Sequence, residues 1–224
     1  MPKGKKNDIV QIMTKFPIFL NMAGKRAVVI GAGAVAARKV ISLLEAGARV
    51  TVVAEHIDDA LKARCNQTNA EIIEAKYAKD YLVGATLAFA ATNDAKTNAQ
   101  IYKDCQQLEV LCNVVDNPTL CDFFTPAVVK RDDLQIAIST DGNFPAYAGH
   151  LRQKLEEIIT SEHGRFVTEL EKLREKVFAQ ITDTNKRKTI LGVLAGDEAF
   201  EIFKKKGSDA LCIWAEKIIA ETKN

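Results

Sequence analysis

Gly31-Ala32-Gly33-Ala34-Val35-Ala36 constrains the fold of this chain more than any other stretch. It fits G-x-G-x-x-G/A, with Ala36 in the third small position. The pattern is weak alone, and its flanks give it meaning. Before it, Arg26 to Ile30 is a short, β-branched apolar run that reads as a buried strand. After it, Val35, Val40, Leu43 and Leu44 recur at helical spacing until Ala46-Gly47-Ala48 ends the helix, and Val50 to Val53 reads as a second buried strand. Strand, glycine turn, helix and strand within roughly 30 residues make a βαβ unit, which demands a parallel sheet and a right-handed crossover. In that setting Gly31 permits a tight turn and Gly33 lets the backbone approach a pyrophosphate. The free N–H groups at the helix start, around Ala34 and Val35, then face the negative phosphates. The acidic residue that usually grips the adenosine ribose, about 20 positions on, is replaced by Ala54. Glu55 follows as the candidate, against the plainer reading of a solvated loop glutamate. No arginine comes next to cradle a 2′-phosphate, so NAD is favoured over NADP.

The alternation continues along the chain. Ile57 to Cys65 reads as a short helix, Glu71 to Ala75 and Thr86 to Ala90 as strands, and Val110 to Val115 as a further strand. Asp94 is a good N-cap for a helix running to about Gln107. Phe16 to Met22 is rich in strand formers. Phe123 to Val129 and Leu134 to Ser139 suggest two more strands joined at Arg131-Asp132-Asp133. Beyond Pro145 only helical patterns follow. The expected fold is α/β: a Rossmann-like parallel sheet, a small strand-rich region and an all-helical C-terminal region. The expected divisions are a flexible leader over 1–15, a nucleotide-binding domain over 16–115, a strand-rich central or dimerisation region over 116–145 and a helical domain over 146–224. The helical stripes, with Leu151 and Leu155 in one and Phe166, Leu170, Leu173 and Val177 in another, need partners to bury them. That region is small for an independent core, so packing on the first domain or on a second subunit is expected.

Composition excludes several classes. At 47% hydrophobic residues the chain is globular. A net charge of +2 argues against nucleic-acid binding. No apolar run reaches the roughly 18–20 residues of a membrane span, and the polar, lysine-rich start has no secretory pattern, so a cytoplasmic protein without membrane partners is expected. Five cysteines without a C-x-x-C pair read as reduced thiols rather than a disulfide or zinc framework. His56, His150 and His163 show no ligand spacing, so no resident metal is expected.

Several segments, in order and spacing, resemble one family: Phe16-Pro17-Ile18-Phe19-Leu20, Gly31 to Lys39, Glu45 to Val53, Ala90-Ala91-Thr92-Asn93-Asp94, Cys112-Asn113-Val114-Val115-Asp116, Phe124-Thr125-Pro126-Ala127 and Ile138-Ser139-Thr140-Asp141-Gly142. They look like precorrin-2 dehydrogenase, the dehydrogenase/ferrochelatase portion of siroheme synthase, over roughly residues 16–160. The resemblance implies oxidation of precorrin-2, a tetrapyrrole, to sirohydrochlorin with NAD as hydride acceptor. It further implies a homodimer, and ferrous or cobaltous ion as an optional second substrate. Asp116 matches the family carboxylate implicated in the chemistry. Read without the family, it is a turn aspartate before Asn117-Pro118. As a catalytic group at the carboxyl end of a strand it is expected to be partly buried, with a raised pKa. Thr92, Asn93 and Asp94 are expected beside the cofactor, with helix capping as the plainer role. Asn113, Ser139, Thr140 and Gly142 are expected near the tetrapyrrole, and Arg38 and Arg131 on its carboxylates. The alternative is a regulatory domain that binds NAD without turnover; Ala54 speaks against it, and Asn113-Val114-Val115-Asp116 has no part in it.

Overall fold

The computed structural model describes residues 15–68 and 70–223; apart from Lys15, the leader expected over 1–15 lies outside them. The chain divides once into compact units, between Thr125 and Pro126. The expected divisions stood at 115/116 and 145/146, and the hairpin expected as a central region goes with the helices.

The first unit holds five parallel strands, β1 (Arg26–Ile30), β2 (Arg49–Ala54), β3 (Glu71–Glu74), β4 (Leu87–Ala90) and β5 (Leu111–Val114), in the order β3-β2-β1-β4-β5. Helices α1 (Ala34–Glu45), α2 (Asp59–Asn66) and α3 (Ala95–Gln107) connect them. The pleat of β1 sends Ala27 and Val29 into one core with Val40, Leu43 and Leu61. Its alternate residues, Val28 and Ile30, enter a second core with Leu82, Ile101 and Cys105. Both faces are covered, which is why the strand reads as an unbroken apolar run. Each such Val or Ile contributes about 1.5–3 kcal/mol by burial. Helix α1 stops in a left-handed cap: Gly47, at φ 75°, donates to Leu44 O, and Ala48 donates to Leu43 O.

One strand expectation gives way, and one stretch rich in strand formers makes no strand. Phe16 to Met22 pairs with no strand; Phe16, Ile18 and Phe19 are exposed and only Met22 is buried. Strand formers without a ladder to join do not make a strand. Pairing expected from Phe123 begins at Ala127 instead. Residues 121–125 form a strap: Cys121 bridges antiparallel to Asn113, and the Phe123 ring stands edge-on to Phe89 at 5.3 Å.

The second unit joins the antiparallel hairpin β6 (Ala127–Arg131) and β7 (Leu134–Ile138) to α4 (Pro145–Ile158), α5 (Ser161–Gln180), α6 (Thr184–Leu194) and α7 (Asp197–Lys223). Helix α7 kinks at Gly207, where φ is 82°. Phe166, Leu173 and Val177 of α5 bury against Ile190, Leu194, Leu211, Ala215 and Ile219. The helical stripes therefore find partners in one another, and this unit has a core of its own. The N-terminal stripe is covered incompletely, with Ile158 65% exposed. At Gly164 an added Cβ would sit 2.5 Å from Arg131 O, so only glycine lets α5 start this close to the hairpin turn. Among the described residues no helix is long and apolar enough to cross a membrane.

Candidate functional site

In the order β3-β2-β1-β4-β5 the chain runs outward from β1 to β2 and β3 and then returns to β4 on the other side of β1, and open sheets bind ligands at such a switch point, beyond the carboxyl ends of the strands. A cleft of about 970 Å³ lies there, lined by Gly31 to Gly33, by Ala54 to Asp58, by Ala75 to Tyr77, and by Ala91 to Asp94 with Thr97 and Gln100. It brings together Gly31, Gly33, Ala54, Glu55, Thr92, Asn93 and Asp94 of the expected cofactor set. Ala34 and Val35 form the first turn of α1, directly behind Gly33.

The two glycines do different work. Gly31 has φ 110°, and a Cβ there would lie 2.2 Å from Ala91 O, so it is required for β1 and β4 to end side by side. Gly33 is extended (φ −71°), and a Cβ there would meet nothing within 4 Å, so its bareness serves the cleft rather than the fold. No side chain caps α1 and its first turn holds no acidic residue, leaving its first N–H groups to an outside acceptor. A bare Gly33 beside an uncapped helix start, within a cleft of this size, fits the pyrophosphate of a dinucleotide.

Around this centre the polar side chains are tied to the fold. Asp94 caps α3, accepting from Thr97 N at 3.0 Å and Lys96 N at 3.2 Å, and takes the Thr97 hydroxyl at 2.5 Å. The hydroxyl first, then the backbone N–H groups, hold its carboxyl below the usual range. Thr92 donates through its N–H and hydroxyl to Oδ1 of buried Asn98, whose Nδ2 returns a bond to Thr92 O. Tyr77 Oη donates to Asp104 Oδ2 at 2.8 Å, while Gln100 Nε2 donates to Oδ1. Burial, and then this carboxylate, push the Tyr77 phenol well up. Sequence reasoning missed Asn98, Tyr77 and Asp104. The available signal was a polar Asn98 and Asp104 on the same buried face as Ile101 and Cys105. Glu55 is exposed on the cleft rim.

Asp116 stands on the loop after β5, the strand next to β4, at the same edge of the sheet but outside the cleft lining. It occupies the third place of a turn closed by Asn117 N donating to Val114 O at 3.2 Å, with a left-handed φ of 61°. It is exposed, not partly buried as expected, because the turn lifts it beyond the apolar strand. Asn113 is buried and its Nδ2 donates to Phe123 O at 2.8 Å, so this amide faces the strap rather than a ligand.

The remaining expected substrate residues divide between the units. Arg38 is exposed on α1; next to it, burial first and the Arg38 charge second hold the Lys39 amine below its ordinary value. Lys39 Nζ donates to Thr125 Oγ1 at 2.6 Å. In the second unit Ser139 Oγ accepts from Asp141 N and Thr140 Oγ1 from Phe144 N, with Gly142 at φ 84°, which makes a tight turn into α4. Arg131 donates to the carbonyls of Lys130, Glu156 and Ile159. Its guanidinium holds the hairpin to the end of α4.

Residues 18–127 match the family described as putative NAD(P)-binding, and residues 131–158 match the one described as sirohaem biosynthesis protein, central. The siroheme synthase of Pseudomonas putida strain W619 is 39% identical over 176 residues, covering 79% of this chain and 38% of that protein. The siroheme synthase of Pseudoalteromonas atlantica is 35% identical over 207 residues, covering 92% of this chain and 45% of that protein. The chain thus spans less than half the length of these relatives. Among solved structures, SirC, a precorrin-2 dehydrogenase, shares the fold with a TM-score of 0.75 at 20% identity, covering 91% of this chain and 100% of that one. With a putative NAD(P)-binding match followed by a sirohaem central match, this chain is similar to a part of the siroheme synthases.

Proposed function

We propose that this protein oxidises precorrin-2 to sirohydrochlorin with NAD as hydride acceptor. One observation carries the reading: a bare-glycine cleft at the switch point of a parallel sheet, in a chain whose next module is the sirohaem central one. Gly33 and the first turn of α1 take the pyrophosphate, and Glu55 on the rim is placed for the adenosine ribose. Thr92, held by Asn98, and the strand end at Ala91 border the cofactor on the β4 side. Bound NAD supplies a two-electron acceptor at this edge. The macrocycle gives up a hydride and a proton, and Asp116 accepts the proton. Its exposure suits a bulky substrate that covers the carboxylate only on arrival. Arg38 supplies a cation for the substrate's carboxylates. The same reading includes ferrous or cobaltous ion as a second substrate, a cytoplasmic setting and a homodimer.

Anaerobic incubation with freshly made precorrin-2 and NAD tests the reading. Stoichiometric NADH together with the sirohydrochlorin spectrum is expected. NAD binding without NADH would leave the regulatory, non-catalytic alternative in its place.

A further inference from the structure

We infer that Cys121 is a positioning residue for Asp116: its thiol clamps the turn on which that carboxylate stands. The inference rests on the dehydrogenase reading for Asp116's role, and on geometry for the clamp. Asp116 takes the third place of its turn at φ 61°, a left-handed place that Asp and Asn adopt readily. Cys121 holds that turn from both ends. Its Sγ lies 3.3 Å from Val114 O and 3.3 Å from Asn117 O, the first and last carbonyls of the turn. One S–H is shared between the two groups that flank Asp116.

The sulfur is itself held. Asn113 Nδ2 approaches it at 3.5 Å while donating to Phe123 O. Asp122, the next residue, takes Cys112 N at 2.8 Å and the Gln106 amide at 2.9 Å. Strand β5, the turn and the strap are therefore joined through one half-buried side chain. Burial first, with the neighbouring Asp122 charge, pushes the Cys121 thiol up against a smaller lowering by the backbone at Val114, so it remains a protonated donor. A thiol kept protonated beside carbonyls acts as a hydrogen-bonding group, not a nucleophile.

The test uses Cys121→Ala and Cys121→Ser in the full chain. In Cys121→Ala, kcat for precorrin-2 oxidation should fall about tenfold or more, since small misplacements of a reacting group are costly. KM for NAD should stay within about twofold, because the cleft does not include this turn. The Asn117 amide should exchange with solvent roughly fivefold faster, its turn having loosened. Serine keeps a donor and should restore most of kcat. An unchanged kcat in the alanine variant, or a serine variant no better than alanine, overturns the inference. If the wild-type protein forms no NADH, the dehydrogenase reading fails and the exchange arm decides the clamp: unchanged Asn117 exchange in Cys121→Ala overturns it.

Discussion

The cleft after β1 and the turn after β5 stand at one edge of the same sheet, yet they are built by opposite means. The cleft is made by absence: no side chain at Gly31 or Gly33, and no cap on α1. The turn is made by addition, with the Asn113 amide, the Cys121 thiol and the Asp122 carboxylate tying residues 112–123 to one another. A phosphate needs backbone N–H groups within reach, so its site must be bare. In the proposed chemistry the proton acceptor needs a fixed place, which a held turn supplies. Binding and chemistry should therefore fail separately.

The largest effect should come from Gly31→Val. A Cβ at φ 110° would meet a backbone carbonyl at 2.2 Å, and no side-chain rotation relieves that. We expect a loss of several kcal/mol, read as a collapsed thermal transition or as insoluble protein. A wild-type Tm would show that β1 and β4 do not meet as described. Next comes Asp116→Ala, which should lower NADH formation by about 10²–10⁴-fold while calorimetry finds NAD affinity within about twofold. A matching loss of affinity would merge the two regions into one site. Gly33→Val should do the reverse of Gly31→Val: Tm within a few degrees, because its Cβ has open space, but an NAD Kd raised about tenfold or more by intrusion on the phosphate position. An unchanged Kd would move the cofactor elsewhere.

The smallest effect belongs to Asp94. Its folded-state pKa lies below the ordinary value, chiefly through the Thr97 hydroxyl. Its contribution to stability is then complete above the unfolded value, about 4, and is lost as pH falls through the lower folded value. Asp94→Ala should melt earlier than wild type at neutral pH, with the gap closing in acid. A gap independent of pH would separate the cap from the charge.

The cleft could be read from the sequence because its determinants are local: glycine spacing, a strand before, a helix after, and Asp94 at a helix start. The clamp could not. Asn113 reads as a polar residue near a catalytic aspartate, and only the return of the chain ten residues later turns its amide toward Phe123 O. Tyr77 and Asp104 meet across 27 residues for the same reason. Propensity misled where no partner existed, at Phe16 to Met22, and where aromatic packing on Phe89 took precedence over pairing, at Phe123. The helical region looked too small for a core because its stripes were judged singly. Facing one another, Leu173 and Val177 with Ile190 and Leu211 close it.

The most direct test is anaerobic NADH formation from precorrin-2 at saturating NAD, with wild type and Asp116→Ala side by side and bound NAD measured in the same samples. Stoichiometric NADH is expected in wild type, almost none in the variant over the same interval, and equal bound NAD in both. Equal rates, or no NADH from wild type with NAD bound, would contradict the proposed chemistry.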